Sequence, residues 1–105
     1  PLLVHMMDDA LMVMATLTPG RAGPVAIDLA ISDFDGEPRE AQAVTVTSAA
    51  PGLGIGPIRR AAERTAGGWR VGDLVLPAAG PWVIGVELRL GRFELRKFEA
   101  EIELP

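Results

Sequence analysis

The chain contains no cysteine and a single histidine, His5. Without thiols there is no disulfide framework, zinc ribbon or redox pair, and stability has to come from packing alone. The compartment stays open, because exported proteins can also lack cysteine. One imidazole cannot serve a catalytic triad beside Ser32 or Ser48, neither of which sits in a G-x-S-x-G elbow, so the expectation is a protein that is not an enzyme. An excess of base is missing as well. Fourteen acids against ten bases give a formal net charge of −4, which offers phosphate backbones little attraction, and no nucleic-acid partner is expected. Long hydrophobic runs are absent too. The longest uncharged stretch, Ala41 to Ile58, carries Thr45, Thr47, Ser48, Pro51 and three glycines, too polar and too broken for a bilayer-spanning helix. At Pro1 there is no basic segment leading into an apolar one, so the chain reads as an excised domain or processed product, with any membrane tether outside it.

What is present describes one domain over residues 1–105, since 49% apolar and 23% charged residues at this length can enclose one core. Twelve Gly and nine Pro fall between short apolar runs, at Pro19-Gly20, Gly23-Pro24, Pro51-Gly52, Gly67-Gly68 and Gly80-Pro81, and cut the chain into strands. Val25, Ile27, Leu29 and Ile31 share one parity. So do Val44 and Val46, and Trp82, Ile84, Val86, Leu88 and Leu90, each set with a core face and a water face. The fold expected is all-β, an immunoglobulin-like antiparallel β-sandwich of about seven strands, with Trp69 and Trp82 as core anchors. Gly91 should turn the Trp82 strand back on the last one as a hairpin. In that last run Phe93 and Leu95 take one parity and Phe98, Ala100, Ile102 and Leu104 the other, which predicts a β-bulge at Arg96-Lys97. The segment from Ile58 to Arg64 is expected to pair with Trp69–Val71 as a further hairpin.

Most polar motifs have ordinary readings. Gly52-x-Gly54-x-Gly56 is followed by Pro57 rather than a helix N-terminus and has no Lys-Ser/Thr pair, so it reads as a flexible loop, not a phosphate cradle. Glu99, Glu101 and Glu103 align on one face of the final strand, where they need solvent or arginines of a neighbour. Asp8-Asp9 and Asp33-x-Asp35-Gly36 resemble calcium loops only faintly, and turn formation is the expected role of both.

One stretch stands apart. Val4-His5-Met6-Met7-Asp8-Asp9-Ala10-Leu11-Met12-Val13-Met14 holds all four methionines and the only histidine. Thioethers and imidazole together suit Cu(I), a soft ion, and suit Mg or Ca poorly. On extended strands His5 and Met7 share a face, as do Met12 and Met14, and a turn at Asp8-Asp9 would let the pairs converge. The competing reading is that Met12 and Met14 fill the core, since methionine is a flexible gap-filler.

Leu17-Thr18-Pro19-Gly20-Arg21-Ala22-Gly23-Pro24, then Pro57-Ile58-Arg59-Arg60, then Gly68-Trp69-Arg70-Val71-Gly72-Asp73-Leu74-Val75-Leu76-Pro77-Ala78-Ala79-Gly80-Pro81-Trp82 resembles the extracytoplasmic C-terminal domain of CopD-type copper-resistance proteins, the YtkA-like domain. The resemblance spans nearly the whole chain. It implies a sandwich fold, a periplasmic or cell-surface location, tethering to a membrane-embedded CopD-type domain on the same full-length chain, and a part in copper binding or transfer. Many relatives open this domain with His-x-His followed five residues later by Met. His5 matches the first His, Met12 matches the Met, and Met7 replaces the second His. Trading nitrogen for sulfur shifts preference from Cu(II) toward Cu(I). The metal ligands expected are therefore His5, Met7 and Met12, with Met6 or Met14 as additions. Imidazole must be neutral to bind a metal, so affinity should fall in the acid range where imidazoles protonate, below roughly pH 6.5. The alternative is a metal-free structural or interaction module attached to a membrane protein.

Overall fold

In a computed structural model describing all 105 residues, the chain forms nine strands. They are β1 (Leu2–Met7), β2 (Leu11–Thr18), β3 (Gly23–Asp33), β4 (Ala43–Ala50), β5 (Ile55–Ala61), β6 (Glu63–Thr65), β7 (Gly68–Leu76), β8 (Gly80–Gly91) and β9 (Glu94–Leu104). No helix is long and apolar enough to cross a membrane. All pairings are antiparallel, in one sheet of order β1-β2-β3-β7-β6 and a second of order β5-β4-β8-β9. With β1 and β5 set aside, the orders β2-β3-β7-β6 and β4-β8-β9 are those of the immunoglobulin-like Greek-key sandwich.

The period-two runs produce this arrangement. Leu11, Val13, Ala15 and Leu17 of β2 face inward, as do Val25, Ile27, Leu29 and Ile31 of β3 and Trp82, Ile84, Val86 and Leu88 of β8. Together with their neighbours they form one cluster of 24 buried hydrophobic residues between the sheets. Removing so much apolar surface from water is the main force holding the layers together. Both tryptophans are buried, and the Trp82 indole Nε1 donates to the Ala78 carbonyl at 2.9 Å. Trp69 is covered by the Arg64 guanidinium, 4.5 Å from the ring centre.

Several local expectations are corrected. There are nine strands rather than seven, because the His5 segment makes an edge strand of its own and the chain crosses between sheets at Ala62. Only Glu63–Thr65 pairs with β7, whereas Ile55–Ala61 pairs with β4 in the opposite sheet. The Gly91 hairpin forms, but its register is continuous through Arg96-Lys97, and the irregularity lies at Arg89–Gly91. No parity change is needed in β9, because Phe93, 93% exposed, and Leu95 simply point outward while Arg96 takes the inward parity at the end of the sheet. The glycine-rich segment is a 3-10 turn at Pro51–Leu53 closed by Gly54 at φ 73°, and Gly56 already belongs to β5. Glu99, Glu101 and Glu103 lie opposite Gly85, Val83 and Pro81, not opposite arginines.

Candidate metal centre

The segment that holds every methionine folds as the β1–β2 hairpin, and Asp8 builds its turn. The Asp8 amide donates to the Leu11 carbonyl at 3.0 Å, while its Oδ1 accepts from the amides of Ala10 and Leu11, both at 2.8 Å. This is the local side-chain closure that makes aspartate a turn residue. The other carboxylate oxygen, Oδ2, accepts from Arg96 Nη1 of β9 at 2.9 Å, so the hairpin of one sheet is pinned to the edge strand of the other. Arg96 also lies 3.2 Å from Glu94 and 3.5 Å from Asp9.

These contacts lower the Asp8 carboxyl pKa below its ordinary 3.8. The Ala10 amide is the largest cause, opposed by burial and reinforced by the Leu11 amide and Arg96. In turn, the hydrogen bond to Asp8 raises the Arg96 pKa. A carboxyl whose pKa is depressed on folding stabilises the fold above its unfolded value and loses that contribution as pH falls through the folded value. Replacing Asp8 with alanine removes two backbone hydrogen bonds and should cost about 2 kcal/mol at neutral pH. Asp8→Asn keeps an acceptor but loses the charge. The melting-temperature gap between wild type and Asp8→Asn should be open at neutral pH and close in acid below the ordinary carboxyl range; a gap that persists there would contradict this role.

The turn sets the register of the candidate ligands. His5 lies opposite Met14 and Met7 opposite Met12. The rows continue onto β3, where Met14 faces Ala30 and Met12 faces Ser32. The outward parity of the hairpin thus presents His5, Met7, Met12 and Met14 as a two-by-two array on the open face of the sheet. The inward parity carries Val4, Met6, Leu11, Val13 and Ala15. Directly opposed side chains on antiparallel strands have Cβ atoms about 4.5–5.5 Å apart, and neighbours two along a strand lie about 7 Å apart. Long, unbranched methionine side chains can close such gaps.

Met12 and Met14 are not core fillers. Met7 is 57% exposed and Met14 36%, with Met12 half-buried. Met6, in contrast, is 3% exposed and points between the sheets, which removes it as an additional ligand. No group of three His, Cys, Asp or Glu side chains is placed to hold a metal ion, and the side chains that share the open face with His5 in this hairpin are thioethers. Such a donor set fits a soft monovalent ion.

The direct cross-strand partner of His5 is Met14, which sequence spacing places only among the additions to the ligand set. A two-residue turn centred on Asp8-Asp9 would place His5 opposite Met12. The turn instead centres on Asp9-Ala10, with Asp8 closing on Leu11, and moves the pairing by two residues. The ability of Asp8 to accept from Ala10 and Leu11 was the signal available. Hairpin and fold together define an immunoglobulin-like sandwich with an imidazole and three thioethers on one open face. No family model, curated protein or solved structure matches the chain.

Proposed function

We propose that this is an extracytoplasmic copper-binding domain of a copper-resistance or copper-transport protein. It captures or hands over copper, Cu(I) in preference to Cu(II), through His5, Met7 and Met12, with Met14 completing the array. Its partner is a membrane-embedded CopD-type domain on the same full-length chain, at the periplasmic or outer face of the membrane. The observation that carries the reading is the pairing of His5 with Met14 and of Met7 with Met12 on an exposed sheet face. A soft site needs such sulfur donors within reach of one another, and few protein ligands on an open face suit transfer better than storage. Met14 also borders a shallow groove of about 290 Å³ shared with Thr16, Asp28 and Ala30, which leaves room for a donor or acceptor to approach.

Titration of the domain with Cu(I) against a competing chelator tests this. Wild type should compete for the ion and a His5→Ala, Met7→Ala, Met12→Ala variant should not; equal behaviour of the two proteins would sink the site. A second reading, a metal-free interaction module, draws on Leu3, 66% exposed on the same face beside His5 and Met7. It predicts that wild type binds the membrane domain equally well with and without copper.

A further inference from the structure

We propose that Met7 and Met14 are sites of reversible oxidation by hydrogen peroxide, and that this modification switches the array off while the fold stays intact. The four methionines share a hairpin but not an environment. Met7 and Met14 are 57% and 36% exposed, Met12 is half-buried, and Met6 is 3% exposed. In the reaction a thioether sulfur attacks one peroxide oxygen. The O–O bond breaks, an S–O bond forms, sulfur is oxidised by two electrons and the second oxygen leaves as water after proton transfer. Reaction at a folded protein requires the oxidant to reach sulfur and the new polar oxygen to find solvent. Met7 and Met14 meet both conditions. At Met6 the oxygen would be driven into the core opposite Val13.

Position gives the modification its effect. Each cross-strand row holds one readily reached sulfur, Met7 in the row with Met12 and Met14 in the row with His5. One oxygen atom per row therefore converts a soft donor in each to a sulfoxide, whose exposed donor is a hard oxygen. Neither change touches the inward parity, so the sandwich remains folded. A thiol-dependent methionine sulfoxide reductase, which removes the oxygen as water at the expense of two thiols, would restore the site. The loss of copper affinity rests on the function proposed above, whereas the order of oxidation does not.

The test treats the domain with graded hydrogen peroxide, maps added oxygen on each methionine by peptide mass spectrometry, and records thermal melts on the same samples. Met7 and Met14 should each gain one oxygen first, Met12 later and Met6 last, with the folding transition retained. Equal modification of all four methionines, or loss of the transition along with oxidation of Met7 and Met14, would overturn the proposal. Protein oxidised at both positions should bind Cu(I) at least about a hundredfold more weakly than reduced protein. Silver(I), a redox-inert soft ion, should slow oxidation of Met7 and Met14 and not of Met6. Unchanged copper affinity after selective oxidation overturns the switch. If the reduced domain fails to bind copper, the copper function falls, and the assignment of Met7 and Met14 as oxidation sites is decided by the map alone.

Discussion

Exchanging Met14 for leucine should weaken Cu(I) binding by at least about a hundredfold, while the same exchange at Met6 leaves it unchanged. The two residues have the same chemistry and lie eight positions apart on one hairpin, yet β1 turns Met6 into the core and β2 turns Met14 out to face His5. Altering groups that merely orient a metal ligand already costs roughly 10–100-fold in affinity, so loss of the sulfur opposite the only imidazole should cost no less. A hundredfold loss corresponds to about 2.8 kcal/mol. Leucine conserves volume at both sites, and such swaps usually cost under about 1.5 kcal/mol of stability, so both variants should remain folded. Competitive titration of the two variants side by side checks this. Equal affinity of Met14→Leu and wild type would remove Met14 from the array and leave His5 without its cross-strand partner.

The largest effect on stability is expected from Gly68→Ala. Gly68 opens β7 with φ 148°, and a Cβ there would overlap the carbonyl oxygen of Leu29 on β3, with the Leu29 carbonyl carbon at 3.2 Å and the Ala30 Cα at 3.4 Å. All three are backbone atoms at the centre of the sheet, so relief requires the strands to separate. The backbone conformation and the overlap together should cost about 3–5 kcal/mol. For a domain of this size that lowers the melting temperature by at least about 15 °C. Gly67→Ala is the control, because nothing lies within 4 Å of a Cβ at that position, and surface changes of this kind stay within about 0.5 kcal/mol. Thermal unfolding of both variants, read by circular dichroism, decides the matter; similar melting temperatures would show that the close approach of β7 to β3 is not a constraint.

The sandwich was legible in the sequence because its strands are amphipathic at period two, and that signal depends only on each run's own side chains. Val25 to Ile31 and Trp82 to Leu88 needed no knowledge of their partners. Where pairing depends on the chain elsewhere, local pattern misled. Phe93 and Leu95 looked like core of one parity, and a bulge was required to reconcile them with Phe98. At the end of the sheet, however, the inward position belongs to Arg96, whose charge is met by Asp8 from the other layer. Nothing near Arg96 in sequence announces a partner in the first hairpin. The candidate site divides the same way. The outward parity of His5 with Met7, and of Met12 with Met14, follows from each strand alone, while the choice of Met12 or Met14 as partner of His5 hangs on one turn residue and its hydrogen bonds.

The row of glutamates on β9 bears on how the domain meets its own kind. β9 is an edge strand of eleven residues, with one side joined to β8 and the other unpaired within its sheet. An edge of that length is a template onto which another chain could add. Two antiparallel copies meeting there would bring Glu99, Glu101 and Glu103 of each alongside the same residues of the other, with no arginine opposite them on β8 to neutralise the charge. Like charges facing across strands oppose pairing. The residues that contribute nothing to the core or the candidate ligand set thus set like charges against any second copy that would pair along this edge.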